Sequence, residues 1–193
     1  MDLKIKLGPV VVLVFSVLNN LSAEGSIGRK QMRTDLNPVT FLKKPRHNPI
    51  VLVKEGKPQG YICVMKDLTG PLKTAVEELA ETVELTTGAR LPVLQKEIKK
   101  PALVIGDCPM AASNGLNGKK MPVEGFEIKT AEELVFVVGN DEPVAEGIIS
   151  TGPVWGVIEF MERFVDVRWY WPKEHGGRSL NQKDELLVPP VHL

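Results

Sequence analysis

The stretch LKTAVEELAETVELTTGARLPV, residues 72–93, decides how the rest of the chain is read. Leu72, Ala75, Val76, Leu79, Ala80 and Val83 recur at the i, i+3, i+4, i+7 spacing that gathers apolar side chains into one helical stripe. Thr69 stands where a capping hydroxyl belongs, and Pro71 falls in the first turn. Gly88 follows the last helical residue, where a left-handed conformation is wanted, and Pro92 blocks any continuation. Lys73 and Glu77 make an i, i+4 pair on the outer side, and Glu77, Glu78, Glu81 and Glu84 read together as a solvated helix face. Nothing apolar surrounds these four carboxylates to prepare them for acid–base work.

Outside this helix the pattern turns to strands. Pro49–Val53 and Gly60–Met65 are short β-forming runs separated by the turn Lys54–Pro58, which predicts a hairpin. Leu91–Leu94 and Ala102–Gly106 are two further strands, the second apolar throughout and so buried. A long loop spans 107–122. Gly125–Lys129 alternates apolar and polar residues, and Leu134–Gly139 is its expected hairpin partner. Ser150-Thr151-Gly152-Pro153 opens a second helix with the stripe Val154, Val157, Ile158, Met161 and Phe164 or Val165, and the helix ends before Asp166. Val167–Pro172 is a short aromatic strand, and Leu186–Val188 is the last one. The order β-β-α-β-β-β-β-α-β-β is α+β, expected as a single mixed, mostly antiparallel sheet with two helices packed on one face.

Composition narrows the function. The chain has 193 residues, 24 basic against 24 acidic groups, and 43% hydrophobic residues. That is enough for a packed core and argues against global disorder. Neutrality excludes a nucleic-acid binder that works by bulk charge. The length excludes a complete barrel enzyme of about 250 residues.

Residues 1–23 read as a secretory signal: Lys4 and Lys6, an apolar run from Leu7 to Leu18, and Leu21-Ser22-Ala23 before the cut. The apolar run is shorter than the ~20 residues of a span, so no stable membrane span is expected after cleavage. The product is then secreted or periplasmic. Residues 24–48 read as a flexible leader, and 49–193 as the folded domain. Export makes a Cys63–Cys108 disulfide a candidate, beside the reading of each as a small buried hydrophobe.

Catalytic signatures are missing. His47, His175, His192 and the two cysteines form no zinc spacing. There is no phosphate loop, no dinucleotide fingerprint and no nucleophile elbow, so no cofactor, metal or catalytic residue is assigned. Glu159 and Glu162 lie beside Arg163 and Arg168 and read as ion-paired or solvated, not as a hydrolytic pair. Trp169-Tyr170-Trp171 is the most unusual run. Strand alternation puts Trp169 and Trp171 on one side and Tyr170 on the other. They belong to the core, to an interface, or to a glycan-stacking surface.

Three stretches in order carry a resemblance. The first is Ala75–Ala80 with Leu85–Val93. The second is Leu103–Gly106 followed by Glu124–Ile128 and Leu134–Gly139. The third is Gly156–Pro172. Together they resemble the N-terminal domain that precedes the catalytic barrel in alpha-glucuronidases and beta-hexosaminidases, over residues 49–191. Val154-Trp155-Gly156 departs from the small residue and Tyr-Gly common there, and Asp166 stands where glycine is commoner. The resemblance implies a small α+β domain that is accessory, packing on a barrel that carries the catalytic acids. The chain reaches Leu193 where such a barrel would begin, so no catalytic residue is carried over. The expected partner is a catalytic barrel, in cis or in trans. Polysaccharide is the other candidate partner, for a stand-alone glycan-binding module. Trp155, Trp169, Tyr170 and Trp171 are the candidate barrel-packing or glycan contacts.

Overall fold

The computed structural model describes residues 42–171 and 177–193. The signal at 1–23, the leader up to residue 41, Pro172 and His175 lie outside the described residues. Twelve short strands and three α-helices follow from residue 50 onward. The largest sheet has five strands in the order β4-β3-β5-β7-β6. These are β3 (Tyr61–Val64), β4 (Val93–Gln95), β5 (Ala102–Ile105), β6 (Phe126–Ala131) and β7 (Leu134–Gly139). Helix α1 (Gly70–Thr87) joins β3 to β4, and its 18 residues carry the chain back so that the two strands run parallel. β3–β5 and β5–β7 are parallel as well, whereas β6 and β7 form the expected antiparallel hairpin.

Alternation along these strands sorts the interior into two layers. Ile62, Val64, Leu103, Ile105, Val135 and Val137 face the long helices, where Val76, Leu79, Val83, Val157 and Phe160 complete one core. Cys63, Val104, Phe136 and Val138 face the other way, against Ala111 and Leu116. The period of two thus places neighbouring residues in different cores. Helix α2 (Pro109–Ser113) and the turn Gly118–Lys120 belong to this second layer. Burial on both faces is the usual condition of parallel strands.

Helix α3 (Gly152–Phe160) lies beside α1 on the same face and continues as a π-turn, Met161–Val165. Asp166, at φ 66°, closes it in a left-handed conformation. Gly88, at φ 74°, ends α1 in the same way, and its N–H donates to the Glu84 carbonyl. Thr69 and Thr151 occupy the cap positions, but neither side chain makes a capping hydrogen bond.

The α+β class, the mixed pairing and the two long helices on one face are as expected. Antiparallel pairs also outnumber parallel ones across the molecule. Two expectations are corrected. The described strands divide among four sheets instead of one, with β12-β1-β2 (Leu186–Val188, Ile50–Lys54, Lys57–Pro58), β10-β11 (Val167–Trp169, Arg178–Leu180) and β8-β9 (Pro143–Ala145, Ile148–Ile149) standing apart from the five-stranded sheet. The first two runs also do not pair with each other. β1 (Ile50–Lys54) pairs with β2 (Lys57–Pro58) and with β12 (Leu186–Val188), and the chain then crosses to β3 in the larger sheet. The crossing is at Gly60, where a Cβ would stand 2.8 Å from the Pro101 carbonyl oxygen and 2.9 Å from Leu52 Cδ2. A hairpin needs both strands in one plane, and this tight passage directs them into two.

Backbone also approaches backbone where β7 ends and α3 begins. A Cβ on Gly152 would lie 2.6 Å from Asn140 N and 2.7 Å from Asn140 O. One on Gly139 would lie 2.5 Å from Pro153 N. Gly152→Ala is therefore expected to cost about 1–3 kcal/mol through overpacking. Urea denaturation checks this, and an unchanged midpoint contradicts the assigned close approach.

Candidate docking surface

Helices α1 and α3 are packed on the sheet by their apolar stripes, which leaves their outer sides to solvent. Between them runs a groove of about 510 Å³, floored by Ala75, Val154, Ile158 and Met161 and walled by Pro71, Thr74, Glu78 and Trp169. Trp169 ends β10 (Val167–Trp169), which pairs with β11 (Arg178–Leu180) so that Trp169 faces Arg178 in register. The Arg178 side chain is only 12% exposed. Its Nη1 donates to Glu78 and to Thr82 Oγ1 (2.9 Å), and its Nη2 donates to Glu81 Oε1 (3.2 Å). This clamp ties the two-stranded hairpin to α1.

Two of the four α1 glutamates therefore hold an arginine brought from a hundred residues away, rather than forming a purely solvated face. Glu77 pairs with Lys73 at 3.8 Å and Glu84 with Arg90 at 2.6 Å. On α3, Glu159 pairs with Arg163, and beyond it Asp166 pairs with Arg168 at 3.4 Å. The Glu159 and Asp166 carboxylates are thus engaged structurally, in line with the ion-paired reading.

The aromatic run does not enter the core. Trp169 is 37% exposed, Tyr170 65% and Trp171 71%. The backbone N–H groups of Tyr170 and Trp171 both donate to the Gly177 carbonyl, at 3.0 and 3.2 Å. Trp155, 49% exposed, is on α3 and does not join this run along the groove. Its indole N–H donates to Glu124 Oε2 at 2.8 Å. That same oxygen accepts the Thr151 N–H (3.0 Å) and the Thr151 hydroxyl (2.6 Å). Glu124 thus ties a distant loop to the residue before α3, while the first N–H groups of the helix go elsewhere: Gly152 N donates to the Asn140 carbonyl, Pro153 has none, and Val154 N donates to the Thr151 carbonyl, so no capping side chain is needed. These donors, the Thr151 hydroxyl foremost, hold the Glu124 carboxyl below its ordinary range.

A second cavity of about 510 Å³ adjoins the groove across Pro71 and Val154, at the carboxyl ends of β3 and β7. Lys66, Asp67, Asp141 and Ser150 line it. Lys66 is ion-paired with Asp141, and burial lowers its ammonium pKa against the pull of Asp107 and Glu142. Next to it stands the hairpin β8 (Pro143–Ala145) and β9 (Ile148–Ile149), every residue of which is exposed. Glu124, Arg178 and this hairpin have no mark in the sequence. Each is a short or lone feature whose partner is remote in the chain.

Cys63 and Cys108 are both free, so the candidate disulfide is not formed. Cys63 lies opposite Val104 in the β3–β5 register, and Cys108 comes four residues further along, past the end of β5. Cys63 is fully buried, and burial raises its thiol pKa. Cys108 accepts the Ala111 N–H at the start of α2. Among the described residues no group of three or more His, Cys, Asp or Glu is arranged to hold a metal ion, and no helix is long and apolar enough to cross a membrane.

No protein-family model and no curated protein matches the chain. The similar solved structures include glycoside hydrolases. A GH20 beta-N-acetylhexosaminidase from Streptomyces coelicolor A3(2) shares 17% identity over 77% of this chain and 24% of its own, with a TM-score of 0.47. A beta-hexosaminidase from Streptomyces plicatus shares 15% over 77% and 23%, with a TM-score of 0.46. A GH115 4-O-methyl-alpha-glucuronidase shares 15% over 75% and 18%, with a TM-score of 0.47. The chain spans about a quarter or less of each of these proteins.

Two outcomes test this geometry. Arg178→Ala should destabilise the fold by about 1–2 kcal/mol, between the exposed and buried ion-pair cases, since the two glutamates stay partly hydrated. It should also red-shift tryptophan emission as Trp169 loses its wall; unchanged stability and emission contradict the clamp. Under native conditions iodoacetamide should label Cys108 and leave Cys63 unmodified until the protein is unfolded, as mass spectrometry would show.

Proposed function

We propose that this chain is a non-catalytic accessory module of an exported carbohydrate-active enzyme, a glycoside hydrolase, and that its helix face docks on a catalytic barrel. The observation that carries the reading is the exposed strip Trp169-Tyr170-Trp171 beside the apolar groove between α1 and α3. Large aromatics at the centre of a protein contact supply much of its binding energy, and charged groups are depleted there. The charges bordering this groove are already matched within the chain, Glu78 with Arg178 and Glu159 with Arg163. The face is therefore suited to apolar contact with a folded neighbour. The three ordered stretches quoted above, from Ala75 to Pro172, support the choice of a glycoside-hydrolase barrel as that neighbour. The signal-like segment 1–23 supports export.

The purified chain should hydrolyse neither aryl glucuronides nor aryl N-acetylhexosaminides. Turnover abolished by a substitution within the chain would overturn the accessory role. The chain alone should also self-associate as its concentration rises, and Trp169→Ser with Trp171→Ser should suppress this, as sedimentation velocity reads. A strictly monomeric and highly soluble protein contradicts a docking face. A saturable tryptophan response to neutral oligosaccharides would replace the reading by that of a stand-alone glycan-binding module.

A further inference from the structure

We propose that Trp155 and Glu124 form a receptor for an arginine side chain of a partner protein, on a surface separate from the groove between the helices. Trp155 sits in the first turns of α3 with half its surface in solvent, yet its ring is not free to turn. Its N–H is held by Glu124 Oε2 at 2.8 Å. Glu124 is itself held. It adopts φ 61°, its N–H donates to Ser150 Oγ at 2.8 Å, and Oε2 accepts two further hydrogen bonds from Thr151. The other carboxylate oxygen, Oε1, accepts no hydrogen bond from the described residues.

This arrangement is prepared for a cation. An indole N–H that donates to an anion pushes electron density into the ring and deepens the negative potential over its face. A cation placed there feels the ring and the carboxylate together. The Thr151 and Trp155 donors hold the Glu124 carboxyl below its ordinary range and so favour its ionised form. The start of α3 contributes an opposing charge of roughly +0.5, which is smaller than the full charge of Glu124. Nearby ions are matched: Lys66 with Asp141, Asp67 with Lys96, and Glu142 with Lys119. Lys120 and Glu146 are exposed to solvent.

Arginine fits better than lysine. Its planar guanidinium stacks flat on an indole while its N–H groups reach a carboxylate in plane, whereas an ammonium is a compact, strongly hydrated point charge. The flanking residues Val123 (56% exposed), Ile148 (59%) and Ile149 (60%) supply an apolar surround typical of a protein contact. The proposal does not depend on which enzyme, if any, the helix face docks on.

The test uses the full chain, uniformly 15N-labelled so that tryptophan indoles and backbone amides are both read, titrated with N-acetyl-arginine amide and with its neutral isostere N-acetyl-citrulline amide. The Trp155 indole resonance should shift saturably with the arginine probe and several-fold more weakly with citrulline, and added salt should weaken the effect. Glu124→Gln keeps the shape and removes the charge, and should weaken arginine binding several-fold. Trp155→Phe leaves the carboxylate cap on Thr151 in place; read at the Thr151 amide, it should weaken binding as well, and it serves if Glu124→Gln fails to fold. Equal shifts with citrulline, an equal shift with a neutral methyl glycoside, or no saturation at tens of millimolar arginine would each overturn the proposal.

Discussion

The structure turns on the place where β7 hands the chain to α3. Gly139 and Gly152 bring two backbones closer than any side chain allows, and Gly118 and Gly125 close on the same spot. Gly118, Gly139 and Gly152 remove three Cβ atoms that would otherwise hold the segments apart, and the Gly125 carbonyl takes up the space left at Gly152. The freed backbone groups are then satisfied across the gap. Asn140 N donates to the Gly125 carbonyl at 2.8 Å, and Gly152 N donates to the Asn140 carbonyl at 2.9 Å. The Asn140 side chain completes the set, donating to the Met121 carbonyl at 2.7 Å and accepting from Glu142 N at 3.0 Å. A polar residue this buried is tolerated because it is so fully bonded. Gly156, one turn on, presses α3 against Val137 in the same manner. Because α3 is seated this low, its outer side lines up with α1, and the groove between them exists. Because the 121–125 loop is drawn to the helix start, Glu124 reaches Thr151 and Trp155.

The elements that depend on local pattern were legible in the sequence. The stripe from Leu72 to Val83 and the stop at Gly88 place α1 to within two residues at its start and at its observed end. The β6–β7 hairpin follows from two apolar runs with a short polar turn, and Glu132 takes the left-handed φ (52°) that such a turn demands. Strand direction was not legible. A buried parallel strand and a buried antiparallel one show the same short apolar run, and only the course of the intervening chain separates them. The pairing of β1 with β12 rather than β3 has the same origin. It joins residues at opposite ends of the domain, and no local residue type encodes that choice.

The candidate surfaces were legible in a similar, partial way. Trp169, Tyr170 and Trp171 stood out by type, but three large aromatics in a strand fit a core equally well. Their exposure comes from Arg178. Its guanidinium, held by Glu78, Glu81 and Thr82, ties the Trp169 end of the β10–β11 hairpin to the side of α1, while Val167 at the other end of β10 is fully buried in the core. Reading Glu78 and Glu81 as a solvated face missed this, because their cation lies about a hundred residues away. Trp155 was singled out by type as well, but its partner Glu124 was not, since a lone glutamate beside a glycine carries no signal of its own.

The distribution of charge ties these observations together. On the helix face, carboxylates and cations are matched inside the chain, so a neighbour gains little from bringing its own charges there and much from covering the aromatic strip. At the start of α3 the balance differs. Glu124 is paired with neutral donors alone, an N–H, a hydroxyl and an indole, and none of them cancels its charge. Hydrogen bonds of this kind fix an anion in place and leave its field intact. One surface is therefore apolar with its bordering charges matched, and the other carries a localised negative charge. Val154 lines the groove, whereas Trp155, the next residue of the helix, turns to a different face and lines neither cavity. The two surfaces therefore differ in position as well as in charge, and a neighbour that covered one would leave the other open to solvent.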